Sequence, residues 1–476
     1  MKKYIFLLFF LFSSSASAGG ALIIDAFSHT GKAFRWPQNK ITWYTDAGNL
    51  SSVVDHAVAV TWVQAALEDW ASAEATNAHG KNVPLVNLQI EYGGDVGEDI
   101  TIENAQKYLK AEPGKTVVIF DEDGSILTDL GHNTSEIIAV TVHSLVNLGE
   151  KSISRGVIIF NGLILEGDLL GATIAEKAES YRGNIQHETG HLLNLEHSQT
   201  NLDVALNCTK GGECPEAQYI PTMYPALKTT LQRYPTRDDK FTLGWLYPST
   251  QFSTEFCSLR GELQDRNENP LRGVNIIARR VDKSVQTRRQ DTHSSITGAL
   301  YSGCANKSNY ALFGLLPGKT YEIYYEPLTD EFNGKESDES DEPPVSGFGF
   351  SVRELDFAFE PQFIPTASGS TTVVCQNAGD VIELPTAKVD VDTPCASYFS
   401  AGNSPEYPYQ AKAVSAVSTL PEEGAANASK GCSLLPLSSS EKNHFHFLFL
   451  VFPIVLLLGF ARFSPLCAKE QAGEIL

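Results

Sequence analysis

The stretch His187-Glu188-Thr189-Gly190-His191-Leu192-Leu193-Asn194-Leu195-Glu196-His197 holds the residue types from which a metal-dependent hydrolase is built. Residues on an α-helix advance about 100° each, so His187 and His191 project from one face, one turn apart. Two imidazoles so placed share one Zn²⁺ at about 2.0–2.1 Å each. Glu188, beside the first ligand and off that line, is positioned to work on water rather than on the metal. His197 tests the reading, because a position six residues beyond His191 is about 600° of rotation away and aims elsewhere. It becomes a third ligand only if the helix stops and the chain doubles back. Asn194 stands at that place, and after Gly, Asn best tolerates the left-handed conformation that ends helices. Three neutral imidazoles leave a coordination position open, as a catalytic rather than a closed structural zinc site requires. By chance, the HExxH spacing arises in roughly one or two chains of this length per hundred, and with the third His in roughly three per ten thousand.

Methionine adds a second signal. The chain holds 2, and apart from Met1 the only one is Met223, in Pro221-Thr222-Met223-Tyr224-Pro225. The zinc spacing followed by a Met-containing turn resembles the metzincin metalloproteases, and His197-Ser198 with Met223-Tyr224-Pro225 is similar to their matrixin branch. Arg35-Trp36-Pro37 before Ile41–Tyr44, Phe120-Asp121-Glu122-Asp123-Gly124-Ser125, and Asp238-Asp239 leading to Tyr247 extend the likeness over about residues 34–248. The resemblance implies an endopeptidase acting on protein substrates. In it, the metal lowers the pKa of water and polarises the scissile carbonyl, Glu188 is the general base, and Met223 is a floor beneath the zinc. Two departures stand out. Asn194 replaces the usual Gly, and no cysteine precedes Cys208, so a cysteine-switch propeptide is absent. Asp121 and Asp123, with His132 and His143, occupy the region where matrixins carry structural ions. The two aspartates are candidate Ca²⁺ ligands, although loop solvation and, for the histidines, local hydrogen bonds are the favoured readings.

These residues need a frame. Lys40–Tyr44, Val86–Tyr92, Thr116–Phe120, Ile137–Val142 and Gly156–Phe160 are rich in Val and Ile and predict strands. Ser52-Val53-Val54-Asp55 has the form of a capping box opening a helix to about Trp70. A second helix is expected around Ile174–Leu193, and Thr236-Arg237-Asp238-Asp239 opens a third that ends near Tyr247-Pro248. From Cys257 the texture changes to short strands punctuated by Gly and Pro, which suggests a β-sandwich. Pro270-Leu271-Arg272-Gly273-Val274 and Leu316-Pro317-Gly318-Lys319-Thr320-Tyr321 resemble the carboxypeptidase-regulatory-like modules of exported bacterial proteins. The expected class is α+β: a metzincin-type domain over 19–250 with a twisted mixed sheet and an active-site helix, then an all-β sandwich over 255–360. A small β unit over 361–400 and a Pro/Ser/Ala-rich stalk over 401–444 follow.

Both ends read as addresses. Residues 1–18, with Lys2, Lys3, an apolar run and Ala16-Ser17-Ala18, form a secretory signal peptide cut before Gly19. Residues 445–461 are an apolar stretch closed by Arg462, at the lower edge of a membrane span. With the short tail 462–476 they resemble bacterial C-terminal sorting tails, so the expected location is extracellular or at the cell surface. Six cysteines, Cys208, Cys214, Cys257, Cys304, Cys375 and Cys395, lie in the exported region, where disulfides persist. Six allow 15 connectivities. The spacing favours neighbours: Cys208–Cys214, Cys257–Cys304 and Cys375–Cys395. A composition of 42% hydrophobic and 20% charged residues excludes a wholly disordered chain, and a net charge of −21 argues against nucleic acid as a partner. The competing function is a surface adhesion or structural protein with an inert metalloprotease domain; the intact Glu188 speaks against it.

Overall fold

The computed structural model describes residues 19–23, 33–297 apart from 111–113, 136, 148, 168–169, 172, 208–213, 215, 272 and 282–283, then 309–329, 359 and 361–391. All of them belong to one unit, Met1–Pro436. The first half is organised by a five-stranded sheet of Lys40–Thr45 (β1), Gln89–Asp95 (β2), Thr116–Asp121 (β3), Ala139–Asn147 (β4) and Ser152–Asn161 (β5). Their spatial order is β2-β1-β3-β5-β4, parallel except for the β4/β5 pair. All six residues of β3 are buried, which is why Thr116-Val117-Val118-Ile119-Phe120-Asp121 reads as a continuous apolar run rather than an alternation.

Two helices lie against this sheet. His56–Ala71 (α1) starts one turn later than the sequence suggests: Asp55 is its N-cap and accepts a hydrogen bond from Val58 N. Ser51 Oγ instead accepts from Val53 N and Val54 N in the preceding turn. Ile174–Leu192 (α2) opens with a capping box between Thr173 and Glu176. Trp70 Nε1 donates to Gln186 O at 3.0 Å and ties the two helices together. The third helix, Arg237–Leu246 (α3), has the Thr236/Asp239 capping box expected of it.

The second half contains two sheets around one apolar core. Cys257–Gln264 (β6), Asn275–Arg280 (β7), Thr292–Ile296 (β8), Asn309–Leu315 (β9) and Thr320–Glu326 (β10) are followed by the short strands Gln362–Phe363 (β11), Thr372–Val374 (β12), Val381–Glu383 (β13) and Ala387–Lys388 (β14). One sheet runs β8-β7-β10-β11 with β12 also on β10; the other runs β9-β6-β13 with β14 also on β6. Leu259, Leu263, Leu312 and Leu315 from one sheet meet Ile276, Ala278, Tyr321 and Ile323 from the other. Residues 361–391 are therefore no separate β unit, since their strands complete both sheets.

Three expectations are corrected. The disulfide is Cys257–Cys375, with the Cα atoms 6.3 Å apart, rather than Cys257–Cys304 and Cys375–Cys395. Strand pairing brings residues distant in sequence together: Cys375 follows β12 directly, Cys257 opens β6, and their bond joins the two sheets. Cys214 is disulfide-bonded, while Cys208, Cys304 and Cys395 lie outside the described residues. The class is mixed α/β with several sheets, and the expected transmembrane tail is withdrawn. Among the described residues no helix is long and apolar enough to cross a membrane. Residues 445–461 lie outside them, a short run interrupted by His446 and Pro453. The signal segment 1–18, the stalk and the final tail also lie outside the described residues.

Candidate metal centre

Helix α2 carries His187, Glu188 and His191 into the interior, and Asn194 then ends it. Asn194 has φ 72°, the left-handed conformation that lets the chain reverse. Its N–H donates to His191 O at 2.8 Å, and Leu195 N donates to Gly190 O at 3.0 Å, closing the last turn. The carbonyls left over at the helix end also find partners. Trp36 Nε1 and His143 Nε2 donate to Leu192 O at 2.8 and 3.1 Å, and Tyr247 Oη donates to Leu193 O at 3.0 Å. His143 thus takes the local hydrogen-bonding role expected of it, at Leu192 O, rather than that of a ligand to a second zinc.

The reversal brings the third imidazole back. The Nε2 atoms of His187, His191 and His197 form a triangle with edges of 2.9, 3.1 and 3.1 Å. Among the described residues this is the one cluster of His, Cys or acidic side chains able to hold a metal ion. Hydrogen bonding by the other ring nitrogens fixes the chemistry of the triangle. His187 Nδ1 lies 2.7 Å from Thr222 O, and His191 Nδ1 lies 2.9 Å from Leu195 O. A carbonyl only accepts, so both Nδ1 atoms carry the proton and both Nε2 atoms present lone pairs. Two lone pairs at 2.9 Å repel unless a cation lies beside them. Nor is either ring charged: burial pushes the His187 pKa down to about 4, against a smaller upward effect of its hydrogen bond to Thr222. Burial first, then the neighbouring imidazoles, also push His191 and His197 well below the ordinary imidazole value. The three donors are neutral near pH 7, as metal ligands must be. A triangle of these edges has a point ~2.0–2.1 Å from every corner, the Zn–N distance. The residues fit zinc.

Glu188 is 2% exposed. Thr141 Oγ1, from β4, donates to its Oε2 at 2.5 Å. This partner was invisible in the sequence, because nothing in the spacing links residue 141 to residue 188. Met223 lies beneath the helix. A Cβ added at Gly190 would come within 2.5 Å of Met223 Sδ and 3.0 Å of Trp70 Cζ2, so only glycine admits the thioether there. The Met turn is held by α3: Asp239 accepts from Thr222 N at 2.9 Å, Met223 N at 3.1 Å and Thr236 N at 2.7 Å. Ser198 N then donates to Met223 O at 2.7 Å, joining the turn to the residue after His197.

Asp121 and Asp123 do not join this centre. Asp121 accepts from Ile126 N and Leu127 N at 3.1 and 2.9 Å, and Asp123 from Ser125 N at 2.9 Å, so both serve the turn that opens the helix Ser125–Asp129. The departure at Asn194 has its own explanation. Its side chain accepts from Ile23 N at 2.8 Å and donates to Ile23 O at 3.1 Å and Phe34 O at 2.8 Å, bonds a glycine cannot make. Through Leu22 N to Asn194 O and Glu196 N to Gly20 O, residues 19–23 pair alongside the turn between His191 and His197. No family model matches the chain, and neither the curated proteins nor the solved structures hold a match to it.

Proposed function

We propose that the chain is a zinc-dependent endopeptidase of metzincin type that hydrolyses peptide bonds of proteins. The observation that carries the reading is the triangle of three neutral imidazole nitrogens with the Glu188 carboxylate on the same helix. Zinc, when bound, supplies Lewis-acid polarisation of the scissile carbonyl and lowers the pKa of water. His187, His191 and His197 hold it. Glu188 accepts the proton that the attacking water gives up and passes it to the departing amine nitrogen. Thr141 orients that carboxylate by donating to Oε2. The Thr222 and Leu195 carbonyls lock the ligand tautomers from behind. Export belongs to the same proposal, and the Cys257–Cys375 disulfide is in keeping with an oxidising compartment.

The test is cleavage of casein or gelatin by the purified chain, with and without a chelator, together with its zinc content. Expected are one zinc per chain, activity abolished by chelator and restored by zinc, and a loss of roughly 10²–10⁴-fold in Glu188→Ala with zinc retained. Chelator-insensitive cleavage, or wild-type activity no greater than that of Glu188→Ala, overturns the reading.

A further inference from the structure

Beyond the ligands, the four residues after His197 are almost wholly enclosed: Ser198, Gln199, Thr200 and Asn201 are 2%, 0%, 1% and 3% exposed. All four are polar, so their burial requires partners. Helix α3 and the second half of the chain supply them. Ser198 Oγ donates to Asp238 Oδ2 at 2.5 Å, and Ser294 on β8 donates to the same carboxylate twice, from N at 2.6 Å and from Oγ at 2.9 Å. Gln199 Nε2 donates to Glu326 Oε1 at 3.1 Å and to Pro327 O at 3.0 Å, while its Oε1 accepts from Thr329 N at 2.9 Å. Asn275 Nδ2 donates to Gln199 O at 3.2 Å and to Glu326 Oε1 at 2.8 Å. Asn201 Nδ2 donates to Arg289 O at 3.0 Å.

Asn275, Ser294 and Glu326 sit on three adjacent strands of one sheet and are 0%, 7% and 8% exposed. A self-contained β module gains nothing from burying an Asn and a Glu at that place, where each polar group left unpaired carries its full desolvation penalty. Here they are satisfied by the segment that follows the third ligand. Contacts around them are close as well. Gly314, at φ 89°, leaves room for the Phe241 ring of α3, whose atoms a Cβ would approach to 2.5 Å. Trp245 of α3 stacks on Phe313 of β9 with ring centroids 6.0 Å apart.

We propose that the β-sheet half is a structural part of the metal centre rather than an appended module, and that Ser294 is a positioning residue for His197. The line of force runs from Ser294 through Asp238 to Ser198, which is bonded on its other side to the Met turn, and so to the adjacent ligand. The inference rests on the zinc reading above. A second set of bonds, Asn275 and Glu326 to Gln199, holds the same segment one residue further on.

The experiment uses the full chain and reads zinc affinity by competition with a chromogenic chelator, and the visible absorption bands of the cobalt-loaded protein, with thermal stability recorded beside them. Ser294→Ala is expected to weaken zinc roughly tenfold and to shift the cobalt bands, as outer-shell changes at metal sites do. Ser294→Thr, which keeps the hydroxyl, restores both. Asp238→Asn is the second variant and is expected to act in the same direction. Leu312→Ala, in the apolar core of the same half, lowers stability and leaves the bands and the affinity in place. Wild-type affinity and bands in both Ser294→Ala and Asp238→Asn overturn the proposal, as does an equal loss of affinity in Leu312→Ala. A wild-type chain that takes up no zinc overturns the zinc reading itself, and this inference with it.

Discussion

Replacing Asn194 separates two roles that one residue combines. If the position needed only a left-handed turn, glycine would serve at least as well, because it has no Cβ to strain at φ 72°. The side-chain amide, however, makes three hydrogen bonds to Ile23 and Phe34 at 2.8–3.1 Å. At about 1 kcal/mol net each, Asn194→Gly is expected to lose ~3 kcal/mol, with ~0.5–1 kcal/mol more from the extra freedom of glycine in the unfolded chain. Asn194→Ala loses the same bonds and adds ~1–2 kcal/mol of left-handed strain. Asn194→Asp keeps the acceptor for Ile23 N but sets carboxylate oxygen against two carbonyls, so at neutral pH it gains nothing over glycine. The expected order is Asn, then Gly, then Ala, by equilibrium urea unfolding followed through tryptophan fluorescence. In the two weaker variants, loosening of residues 19–23 is expected as faster hydrogen exchange there. An Asn194→Gly protein within ~0.5 kcal/mol of wild type would refute the argument, and reduce the residue to a helix stop.

Gly190→Ala forces a methyl group onto Met223 and Trp70 and is expected to destabilise by ~1–3 kcal/mol; adding Met223→Ala relieves part of it, so a double-mutant cycle shows coupling between the two. Stability depends on pH from both sides. Burial pushes Asp238 and Glu326 up to about 7, above their unfolded values, so the stability they contribute is complete in acid and lost as the pH rises through about 7. Burial lowers the His143 pKa to about 4, so its contribution is complete above its unfolded pKa and lost as the pH falls towards 4. Urea midpoints from pH 4 to 9 check both limbs, and Glu326→Gln is expected to flatten the alkaline one. Removing the disulfide by Cys257→Ser with Cys375→Ser opens a loop of 118 residues, which in the chain-entropy account lowers stability by ~4–5 kcal/mol; a calorimetric scan in the absence of reductant measures it.

Much of the histidine arrangement was legible because its determinants are local. The helix period sets His187 and His191 on one face, and Asn194 marks where the helix must end. Thr236 and Asp239 form a box readable within four residues, and β1, β3 and α2 follow from apolar runs and caps of the same short range. The places where the sequence misled were those decided by distance along the chain. Cys257 has nearer cysteines in sequence, yet strand order puts Cys375 beside it. Residues 361–391 look like an appendix until β11 to β14 take their places in sheets begun a hundred residues earlier. Thr141 reaches Glu188 only because β4 lies next to α2.

Taken alone, the amino-acid sequence determined that His187 and His191 share one helix face and where that helix stops, since both depend on periodicities of three or four residues. Tertiary structure decided what holds those side chains still. Ser294, Asn275 and Glu326 are unremarkable as letters, and become part of the surroundings of the three histidines only because burying Ser198–Asn201 obliges each polar group to find a partner, and partners near in space come from strands far away in the chain.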